Sequence, residues 1–407
     1  MQNSQSSVPA KGPGFAETVA LIAALMGMGA LSIDTMLPAL PAIAGTFRLA
    51  SQNDAQLVVY IYMVGFALTQ IVYGPLADSF GRRPVLLAGL AILVTGAALS
   101  AFASTFQQLL IARVLQGIGG ASTRVLTVSM VRDRYAGREM ARVMSFTVMV
   151  FFIIPALAPT FGGLLLALAG WRAIFAAMAA LSFSVAGWYF IRMPETLHPE
   201  YRRTLSLASV IDAMRICVTN RTAVVYSTVI GLLFGALMGY IGSAEQILGS
   251  GVYQLGALFP LAFASVTLAG GLSGYVNSRL VRRFGMHKLA RVSHIIYIGL
   301  SAVFLATTLA SGGIPPLWFF LTAMIALQFF FSNMMSNYNT MAIDPLGAVA
   351  GTAASLIGCY TTLVGTTVGA VIGQMFAGTV LPLVAGQFVV ALATLGFVMW
   401  MERHPSK

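Results

Sequence analysis

The chain has 407 residues, 58% of them hydrophobic and 9% charged, with a mean hydropathy of +0.86 and a net charge of +11. A soluble domain carries about 25% charged residues, so a soluble globular protein is excluded; the apolar residues come in runs of about 20, the length that crosses a bilayer as a helix. A membrane β-barrel is also excluded, because its strands read as short alternating segments.

The polar stretch 1–14 carries one Lys and shows no signal-peptide cleavage pattern, so the first apolar run reads as a retained signal anchor. Twelve spans are predicted near 17–40, 53–77, 83–103, 105–131, 140–165, 169–193, 221–248, 253–277, 287–310, 314–341, 346–376 and 379–401. The longest polar stretch, 194–220, divides the chain into an N-terminal six-helix bundle (1–193) and a C-terminal one (221–407). With a cytoplasmic N-terminus, 19 of the 23 Lys and Arg fall on the inner side, Lys11, Arg203 and Lys407 among them. This positive-inside bias predicts cytoplasmic termini in a multi-pass protein. The basic balance is thus orientation and contact with lipid, not a nucleic-acid footprint.

Ionisable residues inside a bilayer are expensive and functional by default. In chain order, Asp34 sits in span one, about 9 Å from its outer end at 1.5 Å per residue. Tyr60, Tyr62, Met63, Phe66 and Gln70 in span two form a candidate adaptable lining. A charged turn follows, GPLADSFGRRP, residues 74–84. Arg113 lies in span four at about the depth of Asp34, so the two are expected to be coupled, directly or through water or Gln116. A permanent structural ion pair is the plainer reading. Arg124 follows 11 residues later, about 20° from the same face. It either lines a cavity, favouring anionic or neutral cargo, or snorkels to the surface.

Span five carries Pro155, Pro159, Gly162 and Gly163, which supply a kink and close helix contact. Glu245 ends span seven, in a cavity or on a wetted surface. The turn after span eight, LVRRFGMHKLA, repeats the Leu-x-x-x-Phe-Gly pattern of LADSFGRRPVLL about 204 positions earlier. Two related halves around an interfacial site are the pattern of alternating-access transporters. Span ten carries Gln328, Asn333, Asn337, Tyr338 and Asn339, a cavity wall or helix–helix bonding. Asp344-Pro345 make a cap and first-turn pair for span eleven. Cys217 and Cys359 are kept apart by topology, and His198, His287, His294 and His404 are scattered, so no disulfide, metal or cofactor is expected. No nucleophile–base set or phosphate loop suggests an enzyme.

GPLADSFGRRP resembles the loop motif of the major facilitator superfamily, with Gly74, Leu76, Asp78, Gly81, Arg82 and Arg83 in order and Ser79 departing from it. LLIARVLQGIGGA (109–121) resembles the family's fourth-helix motif, with Arg113, Gln116 and Gly117 in register. IPALAPTFGG (154–163) resembles its fifth-helix antiporter motif, with Ala158 in place of the more usual Gly. SIDTMLPALPAI (32–43), VRDRYAGREMAR (131–142) and PLGAVAGTAASLIG (345–358) look like the Bcr/CflA drug-efflux subfamily.

The resemblance covers nearly the whole chain and implies a twelve-helix, two-bundle fold around a central cavity. It implies Asp78 facing the N-terminal end of helix eleven, near Asp344, as an inner gate, and helix five sealing against leakage. The expected activity is proton-coupled efflux of small amphipathic drugs, amphenicol-type antibiotics among them, by a monomer in a bacterial inner membrane. Protons and a small molecule are the expected partners. Export of a native, perhaps anionic, metabolite is the second reading, and a non-transporting receptor is a third, from another class.

Overall fold

The computed structural model describes residues 13–135, 137–202 and 205–403. Lys11, Arg203, His404 and Lys407 lie outside them. Among the described residues every regular element is helical: α1 (Phe15–Asp34), α2 (Leu40–Phe47), α3 (Leu57–Phe80), α4 (Arg82–Ala101), α5 (Phe106–Arg134), α6 (Gly137–Ala169), α7 (Trp171–Arg192), α8 (Leu207–Thr219), α9 (Arg221–Ala244), α10 (Phe259–Phe284), α11 (Met286–Ala310), α12 (Leu317–Ile343), α13 (Ala350–Gln374) and α14 (Leu381–Arg403). Among the described residues ten helical segments are long and apolar enough to cross a membrane. α5 and α6, with 29 and 33 residues, are also long enough, which makes twelve crossings. α5 is the more polar of the two because it carries Arg113, Arg124, Arg132, Asp133 and Arg134. The chain is a multi-pass membrane protein, and large side chains such as Leu168, Phe183, Ile191 and Trp318 point outward from it, where lipid can solvate them.

The boundaries follow local chemistry. α5 opens on a capping box, in which the Thr105 hydroxyl accepts from the Gln108 N–H while the Gln108 side chain accepts from the Thr105 N–H. α3 passes to α4 through Gly81 at φ 103°, ψ 154°. α10 passes to α11 through Gly285 at φ 76°, ψ 155°. Both turns need the positive φ that glycine alone adopts cheaply, and they stand 204 positions apart. The repeat in sequence is thus a repeat of backbone geometry. Segment 193–220 is not wholly irregular: it contains α8, which packs on α9 and α13 and buries Ala213 and Cys217. Burial pushes the Cys217 thiol above its ordinary pKa.

Span one differs most from expectation. Instead of one helix to residue 40, α1 stops at Asp34; a 3₁₀ turn (Leu37–Ala39) and the short α2 follow. Pro38 is the cause. It lacks an N–H, and its ring would meet the carbonyl of residue i−4, which is Asp34. Asp34 is therefore a helix-terminal residue. α6 differs the other way: it stays helical through Pro155 and Pro159. Gly162 is the close-contact residue there, since a Cβ would collide with the Thr35 carbonyl; Gly163 faces open space.

The halves share an apolar core at the end that holds Asn53. A continuous apolar core unites Met36, Leu37, Leu40, Val58 and Phe175 of the first half with Tyr240, Ile247, Phe259 and Phe263 of the second. Neutral amides reinforce it. Asn53 Nδ2 donates to the Gln374 and Phe376 carbonyls at 3.0 and 2.9 Å, and Gln374 Nε2 donates back to the Asn53 carbonyl at 2.8 Å. Gln56 Nε2 donates to Gln246 Oε1 at 2.5 Å and to the Gly373 carbonyl at 3.1 Å. Tyr60 donates to the Gly369 carbonyl at 3.0 Å, so it belongs to this seal and not to a lining. Further along α3, Gln70 Nε2 donates to Thr362 Oγ1 at 3.2 Å. Among the described residues no hydrogen bond joins the halves nearer the Asp78 end.

Candidate functional site

Arg113 is fully buried on α5. Its Nε donates to the Val58 carbonyl at 2.9 Å, its Nη1 to Gln116 Oε1 at 2.6 Å and its Nη2 to the Ser32 carbonyl at 2.9 Å. The guanidinium also lies over the Tyr62 ring, 4.5 Å from its centroid, and 5.7 Å from that of Phe175. Gly117 lets α3 approach closely enough for this, because a Cβ there would strike the Tyr62 carbonyl. Ser32 belongs to the last turn of α1, whose carbonyls have no intrahelical donors. Arg113 is thus a cation at the negative end of α1, a favourable charge–dipole placement. The direct Asp34–Arg113 pair expected from shared depth is not formed, since helix-end carbonyls take the guanidinium instead. Arg113 meets α1 at Ser32, two residues before Asp34, and the Ser32 hydroxyl also lies 3.5 Å from Gln116 Nε2.

Asp34 is left apart. Its side chain is buried and Oδ1 has no hydrogen-bond partner. Next to it Thr35 Oγ1 is also unpartnered, as is the Tyr62 hydroxyl. Across the interface Tyr240 lies within electrostatic range of the Asp34 carboxyl. Asp34 is thus a buried carboxyl of the first half with an unspent acceptor and a neighbour from the second half.

The charged turn is committed within the first half. Asp78 pairs with Arg82 at 2.5 Å, and Arg82 also reaches Asp133 at 3.0 Å. Arg83 Nη2 donates to the Phe190 carbonyl at 2.7 Å. Glu195, absent from the expectations, ties the turn to the end of α7. Its carboxylate accepts the N–H groups of Arg82 (2.9 Å), Arg83 (3.1 Å), Thr196 (2.9 Å) and Leu197 (2.9 Å). Anions at helix N-termini are stabilising, and here the acid comes from far along the chain. Glu195→Ala is expected to lower stability by about 1–2 kcal/mol, the loss typical of a cap. Thermal unfolding of the purified protein reads it, and Glu195→Gln should recover part of the loss.

The superfamily model for the Major Facilitator Superfamily matches residues 19–370. The chain belongs to the Major Facilitator Superfamily. Its relatives within the superfamily include an uncharacterized MFS-type transporter, YdgK, of Bacillus subtilis, 29% identical over 91% of this chain and 92% of that one. A bicyclomycin resistance protein homolog of Haemophilus influenzae is 27% identical over 86% and 87%. A chloramphenicol resistance protein of Pseudomonas aeruginosa is 32% identical over 74% and 72%. Among solved structures, the xylose transporter XylE of Escherichia coli aligns with a TM-score of 0.70 at 14% identity, over 97% of this chain and 100% of that one. The major facilitator fold is therefore that of this chain, and its family and structural neighbours are transporters, not enzymes.

Several residues singled out from the superfamily motifs sit elsewhere than expected. Asp78 makes its ion pair with Arg82 and, among the described residues, no hydrogen bond to helix eleven; Asp344–Val349 form a 3₁₀ turn and α13 begins at Ala350. Asp344 is exposed, and Gly74 lies beside Ser355, further along α13. Asn333 and Asn337 are not cavity wall. Both donate to Asn277 Oδ1, at 3.2 and 2.9 Å, and Ser293 donates to Asn333 Oδ1 at 3.0 Å. Glu245 is buried at the end of α9, in a π turn, and its carboxylate accepts from the Ser250 N–H and hydroxyl. It closes its own turn. Met63 and Phe66 are buried beside Tyr62.

Arg124 differs from Arg113, although both lie on one side of α5. Arg113, Gly117 and Gly120 on that side are buried, whereas Arg124 is exposed and Val128 is 41% exposed. The face opens between Gly120 and Arg124, on the way to the Asp78 end. Among the described residues Arg124 has no hydrogen-bond or ion-pair partner.

Proposed function

We propose that the protein exports small amphipathic drugs in exchange for protons, by alternating access, from the cytoplasmic face of a bacterial inner membrane. The observation that carries this reading is Asp34: a buried carboxyl at a proline-imposed helix end, with an unspent oxygen. A bare buried carboxylate is costly unless paired, and a bound proton removes the charge. Movement of the halves that changes its exposure or its distance from Tyr240 then changes proton affinity, and proton entry can drive cargo exit. The resistance proteins among the relatives support drugs as cargo. The arginine-rich turns support placing the Asp78 end in the cytoplasm, and the seal at Asn53 is then the outer gate. The test is uptake in proteoliposomes: an imposed pH gradient should drive chloramphenicol accumulation. Accumulation indifferent to the gradient would refute proton coupling.

One observation favours the second reading, an anionic metabolite. Arg124 is an exposed cation with no partner among the described residues, on the α5 face that opens past Gly120. Arg124→Ala is expected to weaken transport of anionic cargo by about tenfold, the worth of one charge-assisted contact, and to spare neutral cargo. A competition series with matched neutral and carboxylated compounds checks this. Transport of both cargoes unchanged from the wild type would assign Arg124 to the lipid-facing surface.

A further inference from the structure

Three buried polar groupings among the described residues of the second half differ in one respect. Asn277, Ser293, Asn333 and Asn337 spend their hydrogen bonds on one another. His294 engages Tyr338 with Nδ1 at 2.9 Å, and the Ala391 carbonyl and Thr394 hydroxyl with Nε2 at 3.1 and 3.0 Å. The third grouping is unspent. A narrow, partly enclosed recess with room for about one water-sized group is lined by Tyr240 of α9, Tyr297 of α11, Gln328 and Phe331 of α12, and Gln387 of α14. The Tyr240 hydroxyl and Gln387 Oε1 are buried there without a partner, in side chains only 2% and 4% exposed. The Gln387 amide nitrogen has nothing better than the Met324 sulfur at 3.6 Å. Tyr297 and Gln328 make no hydrogen bond among the described residues either.

Buried polar groups are normally paired, and one left over calls for an explanation. Packing does not supply it, because the Tyr240 ring is fixed by stacking on Phe263, 5.8 Å between centroids and 8° between planes. We propose that this recess is a cargo subsite for an uncharged, hydrogen-bonding substituent on an aromatic or apolar frame. Gln387 Oε1 accepts an N–H or O–H of the cargo, and the Tyr240 hydroxyl pairs with a second polar atom. No charged side chain lines the recess, so the group it takes is neutral. The recess has room for about one water-sized group, so it takes a single small substituent of the cargo, such as a hydroxyl. The cargo class rests on the export reading; the unspent polar atoms do not.

The experiment has two arms on the purified full chain. In the first, binding of chloramphenicol is compared with that of its O-acetylated form, in which the hydroxyl donors are masked. The wild type should prefer chloramphenicol by about tenfold, one hydrogen bond's worth, and Gln387→Leu and Tyr240→Phe should each reduce the preference to within about twofold. A preference unchanged in both variants overturns the subsite. The second arm needs no ligand. If Gln387 waits for cargo, Gln387→Leu removes an unpaired group, and the ligand-free Tm stays level or rises. If a structural water already satisfies it, Tm falls by about 2 °C or more, which overturns the proposal. Should the wild type bind neither compound, chloramphenicol as cargo fails while the ligand-free arm still decides the recess.

Discussion

Asp34→Asn is expected to abolish pH-driven transport while leaving a folded, cargo-binding protein. The substitution preserves shape and removes only the ability to gain and lose a proton. Stability should hold or improve, because replacing a buried ionisable group by a neutral one is often neutral or stabilising. The surroundings sharpen the expectation. Oδ1 has no partner, so no salt bridge is broken and no cation is orphaned; Arg113 keeps its bonds to Ser32, Val58 and Gln116. Counterflow, which needs cargo exchange but no net proton movement, should survive. The measurement is a pair of proteoliposome assays on one preparation, gradient-driven accumulation and counterflow. Gradient-driven accumulation at the wild-type rate in Asp34→Asn would remove Asp34 from the coupling step. Loss of both activities in a folded protein would make it a cargo ligand first.

The twelve crossings were legible because bilayer thickness sets a length and lipid sets a composition, and both can be counted along the chain. The intramembrane charges were legible for the same reason, since Asp34 and Arg113 stand out against apolar neighbours. Their relation was not. Depth along two helices does not say which way the side chains turn, and the decisive feature, the helix end before Pro38, lay in a proline not used as a boundary. Placing it would have exposed the Ser32 carbonyl as a natural acceptor for Arg113. Glu195 was hidden differently: an acid in a polar linker looks solvated until the fold brings it under the N–H groups of Arg82 and Arg83. The span-ten amides were ambiguous in principle, because a cavity wall and an internal network use the same residues. Only Asn277 and Ser293, from α10 and α11, separate the two for Asn333 and Asn337. Gln387 and Tyr240 carried no pattern, since what marks them is the lack of a partner.

Arg113→Lys is expected to keep the protein folded yet lower transport by about tenfold or more. The guanidinium binds three acceptors on three different elements, the carbonyls of Val58 and Ser32 and the Gln116 amide. A lysine ammonium keeps the charge but not the planar fork, and from one point it cannot reach acceptors set on opposite sides of the guanidinium. Ser32 is the contact expected to suffer, as the one that crosses to α1. Each hydrogen bond to a charged group contributes about 1.5–3 kcal/mol, so losing one changes the population of the aligned state about ten- to a hundredfold. That state holds the last turn of α1, and Asp34 two residues beyond Ser32, against α5. The consequence is specific: the lysine variant should lose gradient-driven transport more than it loses cargo affinity, because the carboxyl is misplaced but the cargo walls are not. Arg113→Met should do worse and lower Tm by several degrees, since it leaves three buried acceptors without donors. Measuring affinity, accumulation and Tm on both variants separates the roles. A lysine variant with wild-type accumulation would show that charge at the end of α1 suffices and that the fork is incidental. An equal fall in affinity and accumulation would place Arg113 on the cargo instead.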